Sequence, residues 1–140
     1  MSDISLQIEN FGQIRKADIE LGDLTVFVGP QATGKSILLQ LLKVLQDTRY
    51  VLTELNRYGL DWEHDVERFL EVYFGEGMGR LWTPSTSISF RGNQLDFKRL
   101  IARRKKSKRQ EGVFFMPAQR VLAVLDCWPR PFSDYAAGDP

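Results

Sequence analysis

Residues 29–36, Gly29-Pro30-Gln31-Ala32-Thr33-Gly34-Lys35-Ser36, constrain this chain more than any other segment, because they fit the pattern G-x-x-x-x-G-K-[ST]. The apolar run Leu24-Thr25-Val26-Phe27-Val28 stands directly before them and Ile37-Leu38-Leu39-Gln40-Leu41-Leu42 directly after. Strand, loop and helix thus follow one another in the order that a phosphate-binding loop requires. Gly29 and Gly34 free the backbone to turn successive amides inward at a helix N-terminus, where the dipole favours negative charge. In this reading the backbone from Gly29 to Ile37 cradles phosphates, Lys35 reaches the terminal ones, and the Ser36 hydroxyl ligates Mg²⁺. The alternative is a Gly-rich turn with a solvated lysine, and the agreement of both flanks weighs against it.

A chain of 140 residues, 43% hydrophobic and 26% charged, can bury one core. One nucleotide-binding domain is expected over 1–128, the N-terminal lobe of a longer protein, with the three-proline segment 129–140 as tail or linker. No apolar run approaches the roughly 18 residues of a membrane span, and Met1-Ser2-Asp3 opens no signal or transit segment, so a cytoplasmic location is expected. Cys127 is the only cysteine and His64 the only histidine, which excludes an internal disulfide and a Cys/His metal cluster. His64 beside Trp62 reads as first-turn and core material, not a ligand pair.

The formal net charge of +1 conceals an asymmetry. Residues 98–109 hold eight of the 19 basic residues and none of the 18 acidic ones, leaving 11 basic against 18 acidic elsewhere, a net −7. Within the block, Arg103, Arg104, Lys105, Lys106, Lys108 and Arg109 are candidate contacts to a nucleic-acid backbone or an acidic partner; a solvated charge run is the alternative. Only Phe97, Phe114 and Phe115 lie near, too few for a base-stacking platform.

The phosphate-loop strand is not the first strand. Ile4, Leu6 and Ile8 alternate with polar residues, as do Ala17, Ile19 and Leu21, which predicts two half-buried strands joined around Asn10-Phe11-Gly12. Small nucleotide kinases usually begin with the phosphate-loop strand, so this hairpin argues against one. Ile-Glu-Asn-Phe-Gly-Gln-Ile at 8–14, followed by Val-Phe-Val-Gly-Pro-Gln-Ala-Thr-Gly-Lys-Ser at 26–36, resembles the N-terminus of the SMC/ABC-type AAA ATPases, among them RecF-like, OLD-family and anti-phage ATPases. Gln31 stands where that family usually has Asn. The resemblance implies an α/β fold of the P-loop NTPase class: part of an ABC/SMC-type head, with an N-terminal antiparallel hairpin and a mixed sheet flanked by helices. It also implies ATP as the nucleotide and a second ATPase head as partner; Phe11 is, apart from the resemblance, a candidate stacking residue for the base.

Further on, Ile37, Leu38, Leu41, Leu42 and Leu45 predict a nearly surrounded helix after the loop. Val51, Leu52, Leu55 and Tyr58 predict a second ending at Gly59, and Asp61 reads as the cap of a third carrying Trp62, Val66, Phe69, Leu70 and Tyr73. Segment 87–97 predicts a hairpin about a Gly92-Asn93 turn, with Phe90 opposite Leu95 and Ile88 opposite Phe97. Val113-Phe114-Phe115-Met116 predicts a buried strand ended by Pro117.

In the resembling ATPases a polar residue, often Gln, follows such a strand and faces Mg²⁺ and the attacking water. That implies a role for Gln119 as γ-phosphate or metal sensor, with Arg120 a lesser candidate and a solvent-facing Gln119 the alternative. No Leu-Ser-Gly-Gly signature occurs in these residues, and Val121–Asp126 lacks the following Glu of a metal-side strand, so 121–128 reads as a helix or short buried segment, with Asp126 the minority choice for the metal-side carboxylate. Three function classes follow. The favoured one is a Mg-ATP-binding module whose hydrolysis is completed by motifs outside these residues, coupled to DNA or an effector. The others are a non-catalytic interaction domain with a structural nucleotide or a basic nucleic-acid patch, and a small-molecule phosphotransferase, for which no acceptor base is placed by motif.

Overall fold

The computed structural model describes residues 4–102 and 111–115, together with the backbone of 124–125 and 128–129. The N-terminal hairpin forms as its alternation predicts. Strand β1 (Ile4–Phe11) pairs antiparallel with β2 (Ile14–Leu21), Leu6 opposite Ile19 and Phe11 opposite Ile14. Leu6, Ile8 and Phe11 turn inward and are fully buried, while Glu9 and Lys16 form an exposed ion pair at 3.5 Å on the outer face. Strand β3 (Ser87–Phe90) takes the other side of β1, setting Ile88 opposite Ile8, and β4 (Asn93–Gln94) closes the order β2-β1-β3-β4. Every ladder among the described residues is antiparallel; the mixed sheet expected from the resemblance is not formed by them.

Helices cover the inner face. Helix α1 (Lys35–Arg57) buries Leu38, Leu41, Leu42, Val44, Leu45, Val51 and Leu52. It unites the two helices expected on either side of residue 50, because the break is only a kink at Asp47, whose φ of −118° and ψ of 32° leave the helical region. Helix α2 (Val66–Phe74) is capped by Asp65, whose Oδ1 accepts the Arg68 amide at 2.8 Å, and not by Asp61 as the sequence suggests. Asp61 instead accepts the Glu63 amide at 2.9 Å in the preceding turn, and Trp62 is buried there with Nε1 donating to the Ile101 carbonyl at 3.3 Å. A short 3₁₀ turn (Met78–Leu81) and helix α3 (Phe97–Ile101) complete the layer.

Four further expectations are corrected. The hairpin turn falls on Arg91-Gly92, one residue early: Phe90 pairs with Asn93 and Ser89 with Gln94. Both turn residues are left-handed, as a tight hairpin demands, and the pairing of β3 with β1 fixes where β3 must stop. Phe97 therefore leaves the sheet and packs as the first residue of α3, behind an Asp96 cap. Residues 24–28 enter no ladder among the described residues; Leu24, Val26 and Val28 are 85%, 70% and 86% exposed, while Phe27 packs on the core. A strand needs a hydrogen-bonded neighbour as well as an alternating pattern, and no described segment supplies one. The same holds for Val113–Phe115. Finally, 124–125 and 128–129 pair as a two-residue ladder, β5 (Val124–Leu125) with β6 (Trp128–Pro129), where a helix or buried segment was expected.

The core is aromatic where α2 and α3 meet the sheet. Phe69 stacks on Tyr73 at 5.8 Å and meets Trp62 and Phe97 edge-on, while Phe11 meets Phe74 and Trp82 edge-on at 6.0 and 6.5 Å.

Candidate phosphate-binding site

Gly34 holds the left-handed conformation, φ 89°, directly before α1, and its carbonyl accepts the Leu38 amide at 2.8 Å. A side chain there would strike Ile14 of the hairpin, so the loop rests on the tip of β1-β2, with Gln13 alongside. The sequence motifs at 8–14 and 29–36 are thus two halves of one contact. Ala32 is also left-handed, φ 58°, a strained state for a residue with a Cβ and one that clusters at ligand-binding loops.

Lys35 folds back over the loop. Its Nζ donates to the Gly29 carbonyl at 2.8 Å, to the Pro30 carbonyl and to Thr33 Oγ1 at 3.1 Å, and Thr33 in turn donates to the Pro30 carbonyl at 3.0 Å. All of these partners are neutral. Among the described residues no carboxylate pairs with Lys35, α1 has no acidic residue in its first turn, and no side chain caps it. A helix N-terminus of this kind is normally balanced by an acid or a capping oxygen. Here an ammonium and a positive helix end stand together without a counter-charge. The donor set fits a polyphosphate: loop amides, one lysine and the exposed Ser36 hydroxyl one residue on.

Of the expected site residues, Gly29, Pro30, Gln31, Ala32, Thr33, Gly34, Lys35, Ser36 and Ile37 are brought together as one loop and helix start. Phe11 is not among them. Its ring is fully buried between Phe74 and Trp82, so it is a core residue and not a stacking surface for a base. Gln119, Arg120, Asp126 and the basic residues Arg103, Arg104, Lys105, Lys106, Lys108 and Arg109 lie outside the described residues.

One cluster escaped the sequence reading. Lys43 is the only buried charged side chain among the described residues, and its ammonium joins Asp47 Oδ2 at 2.7 Å and Glu111 Oε1 at 2.6 Å. The i,i+4 spacing of Lys43 and Asp47 was visible, but such pairs are ordinary on exposed helices; burial is what singles this one out.

Loop, hairpin and helix together define a phosphate-loop protein of the α/β class. The chain belongs to the AAA ATPase domain family, whose family model matches residues 1–109. No curated protein and no solved structure matches it. No helix among the described residues is long and apolar enough to cross a membrane.

Proposed function

We propose that this chain is the Mg-ATP-binding module of an SMC/ABC-like ATPase. The observation that carries the reading is the Lys35 ammonium beside the α1 N-terminus with no carboxylate paired to it among the described residues, a setting that favours a bound anion. Amides of 29–36 would hold the phosphates, Lys35 would exchange its three neutral oxygens for phosphate oxygens, and Ser36 would supply one oxygen to the metal. Mg²⁺ bound with ATP would offset charge on the transferred phosphoryl group. Gln119 is the proposed γ-phosphate sensor, and a second head supplies the missing signature and general base. The test is Mg·ATP titration of the chain beside Lys35→Ala. Saturable, Mg²⁺-dependent binding that Lys35→Ala abolishes supports the proposal; equal binding by both proteins refutes it.

A second reading assigns residues 103–109 to the backbone of a nucleic acid. It is favoured by the charge of the block, eight basic residues and no acidic one over 98–109 against a net −7 elsewhere. Binding through it weakens steeply with salt and does not depend on Lys35.

A further inference from the structure

We infer that Gln13, at the tip of the β1-β2 hairpin, is a further nucleotide-binding residue, whose carboxamide donates a hydrogen bond to a phosphate held at the loop; this rests on the function proposed above. The motif at 29–36 does not include Gln13, and only the fold brings the two together. Gly34 is where they meet. The Cβ that a side chain would carry at residue 34 points into the hairpin tip, 2.9 Å from Ile14 Cγ1 and 3.9 Å from Gln13 Oε1. Ile14 is buried and serves as the foothold, while Gln13 is exposed and stands beside the last loop residue before α1. A half-turn about one bond exchanges the oxygen and nitrogen of a glutamine amide, so Nε2 takes the position of Oε1 without moving the chain. That position borders the free amides at the start of α1, where an anion would sit.

The tip is also pinned independently of the loop. The Gly12 amide donates to the Leu81 carbonyl at 3.0 Å, and a Cβ at this left-handed residue would lie 2.5 Å from Leu81 Cδ2. Asn10 is left-handed too; its Nδ2 donates to the Ser85 carbonyl at 3.2 Å, and its own carbonyl accepts the Thr86 hydroxyl. The other hairpin amides are thus spent within the fold, Asn10 on Ser85 and Gln7 on Asp18, whereas Gln13 makes no side-chain hydrogen bond among the described residues. A free donor on a turn already fixed in place costs little to order when a ligand arrives. Lys35 must release the Gly29 and Pro30 carbonyls and Thr33 to meet a phosphate, while Gln13 releases only water.

The experiment is calorimetric titration of Mg·ATP into the wild-type chain, Gln13→Met, Gln13→Glu, Gln13→Arg and Lys35→Ala, with urea unfolding of each. Residue 13 is exposed and outside the left-handed region, so its substitutions should leave the unfolding midpoint in place. Gln13→Met keeps the length and removes the donor; its affinity should fall roughly tenfold, the worth of one hydrogen bond to a charged group. Gln13→Glu, negative and acceptor only, should lose more, and Gln13→Arg, which restores a donor, should bind at least as tightly as wild type. Equal affinity of Gln13→Met and wild type overturns the inference, and leaves the proposed function standing where Lys35→Ala abolishes binding. Affinity retained by Gln13→Glu would make the residue an acceptor from the nucleoside and overturns the phosphate contact. A loss in Gln13→Met that Gln13→Arg does not restore assigns the side chain to the fold of the tip and overturns it as well. Failure of wild type to bind Mg·ATP removes both the inference and the function on which it rests.

Discussion

Gly34 of the phosphate loop and Ile14 of the N-terminal hairpin are in direct contact: a Cβ at residue 34 would lie 2.9 Å from Ile14 Cγ1. Gly34→Ala therefore meets two obstacles, a left-handed backbone and an occupied site. The expected cost is about 1–3 kcal/mol in urea unfolding. Nucleotide affinity should fall more than stability, since the loop amides are what moves. Unchanged affinity in calorimetric titration would show that the amides do not hold the ligand.

Acid should loosen the hold of Asp47 and Lys43 on residues 111–113. Burial pushes the Asp47 carboxyl up, but Lys43 and the amides of Val113 and Gly112 together outweigh it and hold it below its usual 3.8. A carboxylate so depressed contributes stability that is fully present above about 3.8 and is lost as pH falls through the lower, folded value. Amide exchange at Gly112 and Val113 should quicken in that acid window and not at neutral pH. Tyr73, whose hydroxyl donates to the Gln40 carbonyl, is pushed well above the usual phenol range by burial and then by Asp47, and stays a neutral donor throughout.

Phe11→Ala should behave as a core deletion, costing about 3–5 kcal/mol with little relaxation of the aromatic cluster around it. Discrimination between adenine and guanine nucleotides should not change. A base-selective loss of affinity in folded Phe11→Leu would return the residue to the binding site.

Val28→Ser tests the exposed run 24–28. At 86% exposure its effect on unfolding should stay within about 0.5 kcal/mol, and self-association measured by light scattering should fall. A larger loss of stability would mean that this face is covered in the folded protein.

Much of this molecule is legible in order along the chain. The β1-β2 hairpin follows from alternation alone, because Leu6, Ile8 and Phe11 must share a face whatever covers it. The loop is legible too, since Gly34-Lys35-Ser36 between an apolar run and a helical pattern leaves few other uses. The misread elements are those decided by neighbours. Asp61 and Asp65 are equally good caps by type, and burial of Trp62 against Ile101 selects the later one. Gly92-Asn93 is the better turn by composition, yet the ladder between β3 and β1 places the turn at Arg91-Gly92.

The sequence by itself determined the local chemistry: which segments alternate, where the backbone can turn left-handed, and which lysine stands at a helix start. Those properties depend on residues within a few positions of one another, so spacing encodes them. Only the tertiary structure decided that Ile14 supports Gly34, that Phe11 belongs to the core, and that Lys43 and Asp47 grip residues 111–113. Each of these joins residues from about twenty to nearly seventy positions apart, and burial makes them consequential. A charge pair that would contribute little in water acquires geometric specificity once its partners are removed from solvent.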